Sequence, residues 1–191
     1  MKVIAFNGSP RLDGNTTILL KKVLSELENA GIETEIIQLG GSKLQGCTAC
    51  GSCRKSEIGR CIITDDILNE CIEKIKSADG VLLGSPVYFS DVTTEMKAFI
   101  DRVGYVSRSY PDLLKYKVGA GIVAVRRAGA MHTFDTLNHF FLINQMLVAG
   151  STYWNIGIGR DKGDVEKDEE GIKTMVTLGQ NMAYVLKKLK N

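Results

Sequence analysis

Residues 1–17 read MKVIAFNGSPRLDGNTT, and the stretch changes character twice along its length. Val3, Ile4, Ala5 and Phe6 form a short apolar run suited to a strand buried on both faces. Asn7 to Thr17 is polar and rich in small side chains, and beyond it Leu19, Leu20, Val23, Leu24 and Leu27 recur on one face of a helix. A strand, a loop and a helix N-terminus in that order present free backbone N–H groups and a positive dipole end to an anion. Ser9, Thr16 and Thr17 add hydroxyls, Asn15 an amide and Arg11 a guanidinium, a donor set suited to a phosphate. An ordinary βα turn capped by Asn15 or Thr16 would read the same way. The chain has no GxxxxGKS/T and no GxGxxG, so neither the triphosphate loop nor the dinucleotide crevice built on those motifs is expected.

The same alternation continues outward from this stretch. Glu33–Leu39 reads as a second strand ending at Gly40 and Gly41. A loop at about 42–64 then carries four of the five cysteines. Asp65 and Asp66 open a helix whose apolar face is Ile67, Leu68, Cys71, Ile72 and Ile75, with acids at the end the dipole favours. Val81–Leu83 is a third strand running into Gly84-Ser85-Pro86, and Met96, Phe99, Ile100 and Val103 mark the next helix. Lys117–Val125 is a fourth strand with glycines that suggest close packing. A helix over roughly Thr133–Leu147, a fifth strand at Thr152–Ile156 and a closing helix over Glu169–Lys188 complete the chain, the last turning Ile172, Met175, Val176, Met182, Ala183 and Leu186 inward.

Strands alternating with helices predict an α/β fold: a doubly wound, five-stranded parallel sheet with helices on both faces, formed by residues 1–191 as one domain. Ligands on such sheets bind beyond the carboxyl ends of the strands. That places loops 7–17, 85–92 and 126–131 on one rim. The second offers Pro86, Val87, Tyr88 and Phe89, an aromatic and apolar surface able to stack on a flat heterocycle or to pack the following helix. The third brings Arg126 and Arg127, with Gly129 allowing close backbone approach.

Length and composition narrow the function. A chain of 191 residues builds a full core, and its net charge of +2 does not suggest a nucleic-acid surface. There is no apolar stretch long enough to span a bilayer and no signal-peptide layout, so a cytoplasmic protein with reduced thiols is expected.

The motifs GSPR…GNTT after the first strand and SPVYFSDVT after the third resemble the flavodoxin-like NADPH-dependent FMN reductase superfamily, in order and spacing over essentially the whole chain. The resemblance implies that Ser9, Arg11, Asn15, Thr16 and Thr17 hold the FMN phosphate. It also implies that Pro86, Val87, Tyr88 and Phe89, with Arg127 and Gly129, frame the ring. A cation near the ring would stabilise its reduced, anionic form.

Cys47, Cys50, Cys53 and Cys61 are spaced C-x2-C-x2-C-x7-C. Two consecutive x2 intervals let three thiolates converge on one centre, and a fourth closes it, as four cysteines do around a [4Fe–4S] cube. Structural zinc more often uses two separated C-x2-C pairs, so the spacing favours iron and sulfide, with zinc and a metal-free thiol loop as the other readings. Placed between the second strand and its helix, the motif resembles the iron–sulfur flavoproteins of anaerobic microbes. That resemblance implies FMN paired with a cluster, a homodimer or homotetramer, and electron exchange with a small carrier such as ferredoxin and with a small-molecule acceptor. A cluster-free reductase of FMN or quinones using NAD(P)H is the alternative, and a non-enzymatic redox carrier or thiol sensor a second. No residue is expected to act as acid or base, because the cofactor carries the chemistry. Cys71 reads as a buried hydrophobe, His132 and His139 as exposed or capping residues, Tyr153–Asn155 as core or interface packing, and Lys162–Glu170 as a solvated loop.

Overall fold

A computed structural model describes residues 1–56, 59–110 and 113–190. Residues 57–58 of the cysteine loop lie outside the described residues. Four strands run in parallel in the order β2 (Glu33–Gln38), β1 (Lys2–Asn7), β3 (Gly80–Pro86) and β4 (Val118–Val125). The next position is occupied twice: β5 (Leu147–Val148) pairs with the start of β4, and β6 (Ile156–Ile158) with its end. This is the flavodoxin-like order 2-1-3-4-5 with its last strand split.

Side-chain alternation assigns the two layers. Ile4 and Phe6 of β1 enter a core with α3 (Leu68–Ser77), α4 (Thr94–Ser109) and α5 (Ala130–Ile143). Val3 and Ala5 face the opposite core, built with α1 (Asn15–Asn29) and α6 (Glu169–Lys190). Both faces are therefore buried, which explains why the strand sequence is continuously apolar. Gly119 and Gly121 in β4 admit α5: a Cβ on either would lie 2.7 Å from Phe141 or 2.9 Å from Leu137.

Several boundaries differ from the sequence expectation. The fifth strand is not Thr152–Ile156. Residues 149–155 loop out between its two pieces, and Asn155, buried at 3% exposure, bridges the gap. Its carbonyl accepts from the Val123 N–H at 2.9 Å, and its Nδ2 donates to the Gly121 carbonyl at 3.1 Å. Tyr153 and Trp154 are largely exposed, so they are not core residues. α3 starts at Leu68, because Asp66 is drawn into a buried ion pair and caps the helix from outside, accepting from the Leu68 N–H at 3.1 Å. α5 begins at Ala130 and ends at Ile143, where Asn144 folds back to donate to the Phe140 carbonyl at 2.7 Å. A 3-10 turn at Asp164–Lys167 structures part of the loop expected to be solvated, anchored by the buried Val165. Cys71 lies on the buried face of α3, and burial pushes its thiol up to about 12.

Candidate functional site

At the carboxyl rim the loop after β1 is braced from beneath. Asn7, fully buried, accepts from the Ser9 N–H at 3.0 Å and donates to Thr17 Oγ1 at 3.0 Å and Gln38 Oε1 at 2.9 Å. The Gly8 N–H donates to the Gly84 carbonyl at 2.8 Å, and Thr93 Oγ1 donates to the Gly8 carbonyl at 2.8 Å, tying loop 1 to loop 2. Above this brace α1 opens at Gly14, which has no side chain with which to cap the first turn. The N–H groups of that turn are left for an external acceptor.

These groups face a cleft of about 150 Å³ where four loops meet. Ser9, Arg11, Gly14, Asn15 and Thr16 come from loop 1, and Pro86, Val87 and Tyr88 from loop 2. Ala124 and Arg126 belong to the end of β4 and the loop beyond it, and Gly159 and Arg160 to the loop after β6. Among the described residues, three arginines and no carboxylate line it. Thr16 is 1% exposed and lines the cleft. Cations, open N–H groups and the hydroxyl-bearing residues Ser9 and Thr16 together fit a phosphate.

The cleft brings together seven of the eleven predicted residues and leaves the others aside. Ser9, Arg11, Asn15, Thr16, Pro86, Val87 and Tyr88 line it. Asn15 also ties down the loop after β6, donating to the Asp161 carbonyl at 3.0 Å and accepting from the Gly163 N–H at 2.9 Å. Thr17 sits beneath the loop, bonded to Asn7, rather than in the cleft. Phe89 is fully exposed at the tip of a tight turn closed by Tyr88 and Asp91, with φ of 48°. Arg127 is exposed and outside the cleft lining, where the neighbouring Arg126 takes its place. Gly129 shapes the rim from outside the lining: its φ is 84°, and a Cβ there would lie 2.8 Å from Ser90 Oγ and 3.1 Å from Val87 Cγ1. Gly14, Ala124, Gly159 and Arg160 were not predicted. Gly159 and Arg160 follow the Ile156–Ile158 strand as the other rim loops follow theirs, so placing that strand correctly would have found them.

A second cavity, of about 260 Å³, lies under the cysteine loop. Cys47, Cys50, Cys53 and Cys61 all line it. Cys47 and Cys50 are exposed on irregular chain, whereas Cys53, in the short α2 (Ser52–Ser56), and Cys61 pack against the core. Hydrogen bonding from Ser52, with a smaller contribution from Thr48, holds the Cys50 thiol below its ordinary range. Asn69 clamps the Cys61 backbone, accepting from its N–H at 2.8 Å and donating to its carbonyl at 3.0 Å. Arg102 forms the floor, 1% exposed and paired with the buried Asp66. Burial opposes its charge, but bonds to Asp66 and Cys61 outweigh that, and its pKa is raised. Arg54 stands at the wall with its guanidinium carbon 5.2 Å from the Tyr105 ring centroid. Among the described residues, no three His, Cys, Asp or Glu side chains are gathered closely enough to hold a metal ion.

A cationic, phosphate-sized cleft beside an aromatic loop, at the carboxyl rim of a flavodoxin-like sheet, defines a nucleotide-cofactor protein. Residues 1–161 match the family model of NADPH-dependent FMN reductases. An iron–sulfur flavoprotein of Methanocaldococcus jannaschii is 39% identical, with 100% of both chains covered. Another iron–sulfur flavoprotein, from Archaeoglobus fulgidus, is 34% identical over 96% of this chain and 79% of its own length. Among solved structures, an NAD(P)H:quinone oxidoreductase from Methanothermobacter marburgensis shares the fold, with a TM-score of 0.71 at 18% identity, covering 95% of this chain and 96% of its own. The chain belongs to the NADPH-dependent FMN reductase family and groups there with the iron–sulfur flavoproteins. It is a flavin-dependent oxidoreductase that uses FMN.

Proposed function

We propose that this FMN oxidoreductase is an electron-transfer flavoprotein in which a [4Fe–4S] cluster on Cys47, Cys50, Cys53 and Cys61 exchanges electrons with FMN at the rim. The observation that carries it is the second cavity. Four cysteines of one fifteen-residue loop share one space whose wall, among the described residues, holds Arg54 and Arg102 and no carboxylate. That lining suits an anionic thiolate-bound centre better than a bare cation, and a single ion would leave most of about 260 Å³ empty. When bound, FMN supplies hydride and single-electron exchange and the cluster single-electron exchange.

The chain's own residues supply binding, orientation and charge. Ser9, Thr16 and the first turn of α1, with Arg11, Arg126 and Arg160, hold the phosphate. Pro86, Val87 and Tyr88 present a flat face to the ring. Arg126, which lines the same cleft as that face, favours negative charge on the reduced ring. NAD(P)H or a small ferredoxin-like carrier serves as donor and a small molecule as acceptor, in a cytoplasmic homodimer or homotetramer. Among the described residues no helix is long and apolar enough to cross a membrane.

A cluster-free NAD(P)H-dependent reductase of FMN or quinones is the second reading, favoured by the spread of the thiols beyond metal-holding reach. Iron, acid-labile sulfide, zinc and FMN content of protein purified without oxygen separates the two. About four irons and four sulfides per FMN are expected, and Cys50→Ala loses the iron while retaining FMN. FMN without iron after anaerobic reconstitution would establish the second reading.

A further inference from the structure

Among the described residues Arg102 is the one cation of the largest fully buried side chains, and its surroundings are those of a clamp. Nη1 donates to the Gln45 carbonyl at 3.0 Å and to Asp66 Oδ2. Nη2 lies 3.2 Å from Asp66 Oδ1, 3.4 Å from the Ile63 carbonyl and 3.4 Å from Cys61 Sγ. One side chain on α4 thus holds both ends of the cysteine loop, the Gln45 side before Cys47 and the Ile63 side after Cys61. Asn69, on α3, fixes the same strand of chain through the Cys61 backbone and the Ile63 carbonyl. One donor remains: Arg102 Nε is buried and has no hydrogen-bond partner, one of two such side-chain atoms among the described residues, with Ser42 Oγ. A guanidinium in so complete a network leaves a donor unmade only at a cost. Asp66, which balances its charge, does not line the cavity, so the cationic end of the pair faces the thiols.

We propose that Arg102 is the positioning residue of the cysteine site: it pre-places Cys61 as the fixed ligand and gives its N–H groups to the sulfur atoms of the cluster, setting both cluster retention and cluster potential. The inference rests on the cluster reading above and adds to it a residue outside the cysteine motif. Before assembly, Cys61 is held by Arg102 and Asn69, while Cys47 and Cys50 remain on exposed chain free to close over the centre. After assembly, N–H groups and positive charge directed at the sulfurs stabilise the added electron, because hydrogen bonds to sulfur and local charge set such potentials.

The test compares wild type with Arg102→Lys and with the charge-neutral pair Arg102→Gln/Asp66→Asn, which avoids leaving Asp66 buried alone. Iron retention over time, the cluster midpoint by spectroscopically monitored redox titration, FMN content and thermal unfolding are measured on each holoprotein. The neutral pair is expected to keep its FMN, to lose iron several-fold faster and to shift its cluster midpoint negative. Arg102→Lys should recover much of the midpoint, since the charge is kept, but not the retention, since the fork is lost. Unchanged midpoint and unchanged iron loss in the neutral pair would overturn the proposal while leaving the cluster reading intact. Should that pair not fold, iron loss from Arg102→Lys at the wild-type rate would overturn it equally. Wild type devoid of iron after anaerobic reconstitution would remove the cluster reading and this inference with it.

Discussion

Thr16 illustrates how a single side chain links the loop sequence to cofactor binding. It is buried and lines the rim cleft. Thr16→Val keeps the shape and removes the hydroxyl, so FMN affinity should fall by about 1 kcal/mol, roughly fivefold in Kd, in a fluorescence titration. Unchanged affinity would place the phosphate elsewhere. Cys71 shows the opposite case, a thiol shielded from chemistry. Its folded pKa of about 12 lies above the 9.0 of an exposed thiol, so it gives up its proton more readily unfolded than folded. Its contribution to stability is complete below pH 9 and declines as pH rises toward 12, at up to about 1.4 kcal/mol per pH unit. Urea unfolding of Cys71→Ala should show a shallower alkaline loss than wild type. An identical slope would show that other groups dominate that range.

At the level of elements, α4 connects the two candidate sites. Its cap residue Thr93 bonds the Gly8 carbonyl at the carboxyl rim, and Arg102, about 13.5 Å further along the helix at 1.5 Å per residue, lies under the cysteines. Both ends are thus positioned by one rigid body. The turn after β2 is equally constrained. A Cβ on Gly40 would lie 2.2 Å from the Ser9 backbone carbon, so no side-chain rotation could relieve the clash. Gly40→Ala should therefore push loop 1 off its brace, costing about 2 kcal/mol or more in stability and weakening FMN binding together with it. Thermal unfolding and FMN titration read the two effects, and a variant with normal affinity would show that loop 1 moves without opening the cleft.

At the scale of the whole molecule, the split fifth strand leaves an apolar edge. Val148, Tyr153 and Trp154 border a cavity of about 510 Å³ and are largely exposed, and Trp154 stacks near Phe134 with ring centroids 6.1 Å apart. Apolar surface of this kind marks contact between chains. If the proposed homo-oligomer uses this edge, Trp154→Glu should shift the sedimentation profile toward monomer without loss of FMN. An unaltered profile would move the interface to another face. Because the chain has one tryptophan, its fluorescence in wild type reports the same equilibrium.

The order of strands and helices, and the placing of the loops after β1 and β3 on one rim, were legible in the sequence, because each depends on short-range pattern: apolar period, turn residues and the position of a loop directly after a strand. The spacing of the four cysteines was legible for the same reason. What only the tertiary structure decided are relations between distant segments. Arg102 reads locally as one more polar residue beside Met96, Phe99 and Val103, yet it is buried because chain 36, 41 and 57 positions away folds over it and supplies Asp66, Cys61 and Gln45. Arg160 lines the rim cleft because the last strand ends at Ile158 rather than Ile156, and after β4 it is Arg126 rather than Arg127 that does so. Local sequence specifies which elements form. Long-range packing and the pairing of buried charge decide which side chains those elements bring into one site.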